Sequence, residues 1–321
     1  MRFAFFVTIS TAAIAFTGCR EEEQVPGTRG LQNLGSTCYM NSLLQVMMHT
    51  ETVRDAVLTI DPESIPADAP HESLLRNLFS LFSREWTEKG PAIIPREVFT
   101  SLNQYKATVF TRGVQQDVDE AFSAFQAALT EAVDDVVPAR ANAFDFFRFE
   151  LATSVRCDSG LVVGDPPRVE EQNRILLSFP AAEPAEGLTV RSMIESYFTP
   201  QGMDEVRSCN DEGGAVESTM LSLPRVLIIT LHRNAFGPKI KMPVRVDHEL
   251  TGNIFPGADP AAVYRLAGVV HHHGSSVKYG HYTASVHVGD SWYEANDSSF
   301  SKTREPSVST TANFLVYELV H

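Results

Sequence analysis

One junction constrains this chain more than any other: a glycine-punctuated loop that delivers a single cysteine to the start of an apolar segment. It runs Gly30-Leu31-Gln32-Asn33-Leu34-Gly35-Ser36-Thr37-Cys38-Tyr39-Met40-Asn41-Ser42-Leu43-Leu44-Gln45. Gly30 and Gly35 permit backbone angles that other residues resist. Leu43, Leu44, Val46, Met47 and Met48 predict a buried helix, because good helix formers follow one another with no β-branched run. Cys38 then falls in the first turn. There the unpaired N–H groups and the helix dipole favour an anion, so the thiol is expected to ionise below its free value of about 8.5. The amide of Asn33, just upstream, can donate to a developing oxyanion. A lone cysteine is more commonly a small buried hydrophobe, so a catalytic reading needs a base from elsewhere in the chain.

The segment resembles the cysteine box of the ubiquitin-specific proteases, a branch of the papain-like cysteine peptidases, through Gly-Leu-x-Asn-Leu-Gly-x-Thr-Cys-Tyr-Met-Asn-Ser followed by Leu44 and Gln45. Further boxes follow in the family's order. Gln115-Gln116-Asp117-Val118-Asp119-Glu120 opens a helix whose Val118, Phe122, Phe125, Leu129 and Ala132 form one buried stripe. It resembles the second box, although Ala121 is smaller than the family's apolar residue. The resemblance implies that Gln116, Asp117 and Glu120 line the cleft for the ubiquitin tail, which carries arginine before its Gly-Gly. Acids on a first turn also stabilise the helix dipole with no ligand at all.

The histidine box is Gly280-His281-Tyr282-Thr283-Ala284-Ser285-Val286, and Trp292-Tyr293-Glu294-Ala295-Asn296-Asp297 follows. Gly280 leaves room for a substrate backbone beside the base, and Gly280 and Tyr282 count as substrate-binding by resemblance. Papain-like roles follow: Cys38 attacks, His281 is base and acid, Asn296 orients His281 through Nδ1–H, and Asn33 holds the oxyanion. Asp297 is read as a supporting residue on the same extended strand, its side chain opposite that of Asn296. It could equally form a turn with Ser298 and Ser299. His271-His272-His273 invites a metal reading, but neighbours on an extended chain point to opposite faces; no metal or cofactor is expected.

The implied fold is a papain-like α/β (α+β) scaffold of thumb, palm and reduced, zinc-free fingers. Family fingers often hold zinc between two Cys-x-x-Cys pairs; here Cys157 and Cys209 each lack the partner, with Gly160 and Glu212 in its place. Two thiols are short of the four ligands of structural zinc. In an oxidising compartment they could pair with each other, their separation in space being open at this stage. Helices are expected over 71–86, from Pro95 as first helical residue, and over 189–198. Strands are expected at Phe146–Leu151, Arg174–Phe179, Leu223–Arg233, Tyr264–Val270 and Phe314–Tyr317.

Length and charge fit this reading. A chain of 321 residues holds one large domain or two ordinary ones, and 43% hydrophobic with 21% charged residues is a globular composition. With 26 basic and 40 acidic residues the net charge is −14, which argues against non-specific nucleic-acid binding. At the N-terminus Arg2 precedes an apolar run, Phe3 to Phe16, of signal-peptide length. Thr17-Gly18-Cys19 resembles a bacterial lipobox, with Phe16 where leucine is usual. Residues 1–18 are read as a signal peptide, 19–27 as a polar tether and 28–321 as the catalytic domain. The expectation is an exported monomer, lipid-anchored through Cys19 at a bacterial membrane or delivered to a host cell, acting on ubiquitin or ubiquitinated proteins. The alternatives are a protease for another ubiquitin-like modifier, a non-catalytic ubiquitin-binding module, and a plain exported papain-like protease, whose motifs fit less well.

Overall fold

The computed structural model describes residues 25–67, 71–136, 144–204, 206, 209, 212–233, 238–276 and 279–320. The signal-peptide and Cys19 readings lie outside these residues. Helices come first: α1 (Cys38–His49), α2 (Glu51–Leu58), α3 (Glu72–Thr87), α4 (Arg96–Tyr105) and α5 (Val118–Val136). Every residue of α1 is buried; its polar side chains Asn41, Gln45 and His49, four apart on one face, bind the carbonyls of Leu31, Arg29 and Gly27. Pro95 sits at the N-cap of α4 rather than inside it, a shift of one residue from the expected start.

The rest of the chain is mostly strand: β1 (Phe149–Cys157), β2 (Val162–Gln172), β3 (Ile175–Leu177), the helix α6 (Val190–Phe198), β4 (Gln201–Met203), β5 (Gly214–Met220), β6 (Val226–Leu231), β7 (Val244–Arg245), β8 (Glu249–Thr251), β9 (Val263–Ser276), β10 (Tyr279–Val288), β11 (Ser291–Asn296), β12 (Ser299–Thr303), β13 (Val308–Ser309) and β14 (Ala312–Leu319). The palm is one sheet in the order β12-β11-β10-β9-β14-β6-β3, with β8 added on β9. Its pairs are antiparallel except β3 with β6. Both faces are covered. Val226 and Ile228 of β6 join a core with helices α1 to α5, while Leu227, Ile229 and Leu231 join a second core with α6. A strand covered on both sides reads as a nearly continuous apolar run, and β6 does so with Thr230 as its one polar residue. Gly268 of β9 lets α1 press onto the sheet: a Cβ there would meet Val46 at 3.0 Å.

The fingers are a second sheet, β2-β1-β5-β4. Strand β2 carries no signal of its own in sequence, since Pro166 and Pro167 argue against a strand. It survives because it is an edge strand pairing only with β1, and the prolines fall where the register shifts between Thr153 and Val155. At the end of β1, Cys157 is joined to Cys209 by a disulfide across a sequence separation of 52. The bond is packed with Val206, Val155 and Val163 in a small apolar cluster of its own. Neither thiol is then free to bind metal. In chain-entropy terms a cross-link of this span stabilises by about 4 kcal/mol at most. Replacing both cysteines by alanine should therefore lower unfolding stability by about 2–4 kcal/mol in denaturant titrations. An unchanged midpoint, or stoichiometric zinc in metal analysis of the native protein, would overturn this account of the fingers.

Candidate active site

The cysteine loop is shaped by the side chain of Asn33. Its Oδ1 accepts from the N–H groups of Gly35 (2.8 Å) and Thr37 (3.2 Å). Gly35 lies at φ +109°, and Ser36 beside it at φ +55°. Gly30 serves a different purpose from the one expected. Its backbone is ordinary, but a Cβ would sit 2.4 Å from the Ser298 carbonyl, so glycine is required there for close approach. The loop ends at Thr37, which caps α1 without a side-chain bond. The first N–H groups of the helix are therefore left facing the site.

Cys38 is 4% exposed. Burial pushes its thiol above the ordinary value, and the carboxylate of Asp297 pushes the same way; backbone N–H groups of Tyr282, Tyr39 and Cys38 itself oppose them. The expected fall in pKa at the helix start is thus reversed. A dipole and a few N–H groups do not offset desolvation in this free state. The contact with the Tyr282 N–H also locates the base, because His281 is the preceding residue on β10.

His281 Nε2–H donates to Oδ1 of Asn296 at 2.7 Å. The orienting bond therefore uses Nε2, not Nδ1 as expected, and Nδ1 is left to exchange protons. Asn296 closes β11 and Asp297 is already outside it, at φ +47° in the turn to β12. The picture of two neighbours on one extended strand fails here; Asp297 occupies the left-handed region that Asn and Asp tolerate in turns. From that turn it grips the cysteine loop with three oxygens. Oδ2 accepts from Asn33 Nδ2 (2.9 Å), Oδ1 from Asn41 Nδ2 (2.8 Å), and its carbonyl from the Leu31 N–H (2.8 Å). Asn33 keeps one N–H for another acceptor. Asn41, quoted within the box but given no role from sequence, also donates to the Leu31 carbonyl at 3.1 Å. A buried amide amid the apolar residues of α1 was the signal that could have singled it out.

The second box divides. Asp117 is the N-cap of α5, accepting from the Asp119 N–H at 2.8 Å, and burial raises its pKa. One of its oxygens is thus bound to its own helix, and the residue is half-buried. Glu120 is exposed on the first turn, as a residue awaiting a partner must be. Gln116 Nε2 donates to the Thr108 carbonyl at 3.0 Å. Asp119, which sequence reasoning passed over, pairs with Arg174 at 2.8 Å and accepts from Thr230 at 2.7 Å, tying α5 to the palm. The ring of Tyr282 is fully buried and stacks on His272, so only its backbone faces Cys38. Gly280 stands at φ +159°, and a Cβ there would meet His272 Nε2 at 2.5 Å. Among the described residues there is no group of three or more His, Cys, Asp or Glu arranged to hold a metal. His271 and His273 do share one face of β9, bonded to Ser285 and Thr283.

Known proteins resemble this chain along most of its length. The family described as "Ubiquitin carboxyl-terminal hydrolase" matches residues 29–317. Ubiquitin carboxyl-terminal hydrolase 20 of Arabidopsis thaliana is 26% identical over 94% of this chain and 45% of its own length. Ubiquitin carboxyl-terminal hydrolase 26 of Oryza sativa subsp. japonica is 26% identical over 89% of this chain and 27% of its own. The chain thus spans less than half of either relative. In three dimensions it superposes on a chain of the SAGA Ubp8/Sgf11/Sus1/Sgf73 DUB module bound to ubiquitin aldehyde, with TM-score 0.77, 18% identity, and coverage of 94% of this chain and 71% of that one.

Proposed function

Because the chain belongs to the ubiquitin carboxyl-terminal hydrolase family, we propose that it is a thiol-dependent deubiquitinase cleaving after the C-terminal Gly-Gly of ubiquitin. The observation that carries this reading is the strapping of the cysteine loop to the turn beside Asn296, with His281 held by Asn296 and followed by the residue whose N–H meets Cys38. Chemically, Cys38 Sγ attacks the scissile carbonyl and gives up its proton to Nδ1 of His281. The oxyanion is held by N–H groups at the start of α1 and by the remaining N–H of Asn33. His281 then protonates the leaving amine and activates the water that hydrolyses the thioester. The test is a panel of modifier–fluorophore conjugates. Cleavage of the ubiquitin conjugate, with others slower, supports the reading; preference for a different modifier replaces the substrate, and no cleavage of any leaves a binding module.

Glu120 is the acid we assign to the basic tail, with Asp117 as the capping residue behind it. Glu120→Ala should raise KM several-fold with kcat little changed, consistent with loss of an exposed charge pair worth up to about 1 kcal/mol. Asp117→Ala should cost about 1 kcal/mol of stability through the lost cap. Equal KM in wild type and Glu120→Ala would remove Glu120 from the tail site.

The exported state belongs to the same proposal. The Cys157–Cys209 bond supports an oxidising compartment, in keeping with the apolar N-terminus and with Cys19 as a lipid-bearing residue. Acting as a monomer, the protein would meet ubiquitin on delivery into a host cell. Labelling with a fatty-acid analogue that persists in Cys19→Ala would exclude that residue as the anchor.

A further inference from the structure

One corner of the molecule gathers three cations and no acid. Arg233, at the end of β6, is fully buried. Its guanidinium donates only to carbonyls, those of Ala312 (2.7 Å), Ile240 (3.1 Å), Met242 (2.8 Å) and Ser309 (3.1 Å), and burial lowers its pKa to about 10. Lys239 is 7% exposed. Its ammonium donates to the His272 carbonyl and to His272 Nδ1, the latter at 3.1 Å. Burial first, then Arg233 and Lys241, push it down to about 8. Lysine has no acceptor, so His272 must carry its own proton on Nε2, and that buried N–H has no partner. Among the described residues no carboxylate lies within ion-pair distance of Arg233, Lys239 or Lys241; Asp117 acts on Lys239 only from a distance.

A buried cation without a counter-charge is costly, and neighbouring cations add repulsion. The chain carries a net −14, so this corner is not part of a generally basic surface. It also opens onto a cavity of about 350 Å³ lined by Lys239, Lys241, His272, His273, Gly274, Thr310 and Thr311. We infer that this cavity is a binding site for a phosphate-class oxyanion, with the two lysines supplying charge and Thr310 a hydroxyl donor, the Thr311 hydroxyl being held by Ser309 and His271. An anion there completes the third N–H of Lys239 and offsets the repulsion among the cations. The site adjoins the machinery without sharing its residues: His273, which itself lines the cavity, is the cross-strand neighbour of His281 on β10.

Calorimetric titration of the full chain with inorganic phosphate at neutral pH tests this. Wild type should show saturable one-site heat with Kd of about 1 mM or tighter. Lys241→Gln, a change at an exposed residue, should weaken binding several-fold, and Lys239→Met should abolish it. Without phosphate, Lys239→Met should unfold no earlier than wild type, since it removes a buried unpaired charge. No saturable heat in wild type, or equal affinity in both variants, would overturn the site. Binding is read without any substrate, so an empty cavity and an inactive enzyme are separate results.

Discussion

Cys38→Ala should abolish hydrolysis of a ubiquitin–fluorophore conjugate, with a fall in kcat of at least about 10⁴-fold, as expected when a covalent nucleophile is removed. Ubiquitin affinity should stay within a few-fold of wild type. The substitution deletes one buried sulfur at the first position of α1, where alanine suits the helix. The cost in stability should therefore be no more than about 1–2 kcal/mol, and lost turnover will not reflect unfolding. Among the described residues Cys38 is the free cysteine, so retained turnover would overturn thiol catalysis at this site altogether. The pH behaviour is also set. Burial holds the resting thiol above its ordinary pKa, so alkylation of the substrate-free protein should be slow at neutral pH and quicken as pH rises. Rapid alkylation at neutral pH would show that the thiolate forms despite burial.

Asn296→Ala and Asp297→Ala should both lower kcat, but alkylation should separate them. Asn296 accepts the Nε2–H of His281 and so fixes the ring and its tautomer. Without it His281 can turn, and kcat should fall about 10²-fold or more, as for a misplaced general base. Asn296→Asp keeps the acceptor and should stay active. Asp297 hydrogen-bonds to Asn33, Asn41 and Leu31 rather than to His281. Asp297→Ala should loosen the oxyanion donor and cost about 10²-fold in kcat, in line with loss of one such donor. Its carboxylate also raises the Cys38 pKa. Removing it lowers that pKa and increases the thiolate fraction at neutral pH, so alkylation should become faster as turnover falls. If Asp297→Ala instead slows alkylation and Asn296→Ala changes nothing, Asp297 is the orienting residue and the assignment is reversed.

The parts legible in sequence were those where one residue type serves one local need. The apolar stripe of α5 and the nearly continuous run of β6 announced themselves because burial leaves a period or a nearly unbroken stretch. Cys38 and His281 were legible because their boxes are dense. What stayed hidden depended on distance. Nothing in Pro166-Pro167 says that β2 lies at an edge, where proline is harmless. The pKa of Cys38 was misjudged because the helix start is local and visible, whereas desolvation comes from the whole fold around it. Asp297 reads from sequence as a turn former or as catalytic support; it sits in a left-handed turn, and that turn is what lets it reach back to the cysteine loop. The ring nitrogen used by His281 depends on side-chain geometry that no spacing encodes.

The strap between Asp297 and the cysteine loop joins positions 264 and 256 residues apart. The nucleophile is made well before its partners, and Leu31 cannot pair with the Asp297 carbonyl until the turn between β11 and β12 is in place. A ribosome that has released only the helices has produced a thiol on an unfinished loop, with no base and no oxyanion donor in position. A chain in transit through a narrow membrane pore is in the same condition. In the proposed mechanism the thiol therefore gains its base and its oxyanion donor only when the later hairpins have closed onto the helices.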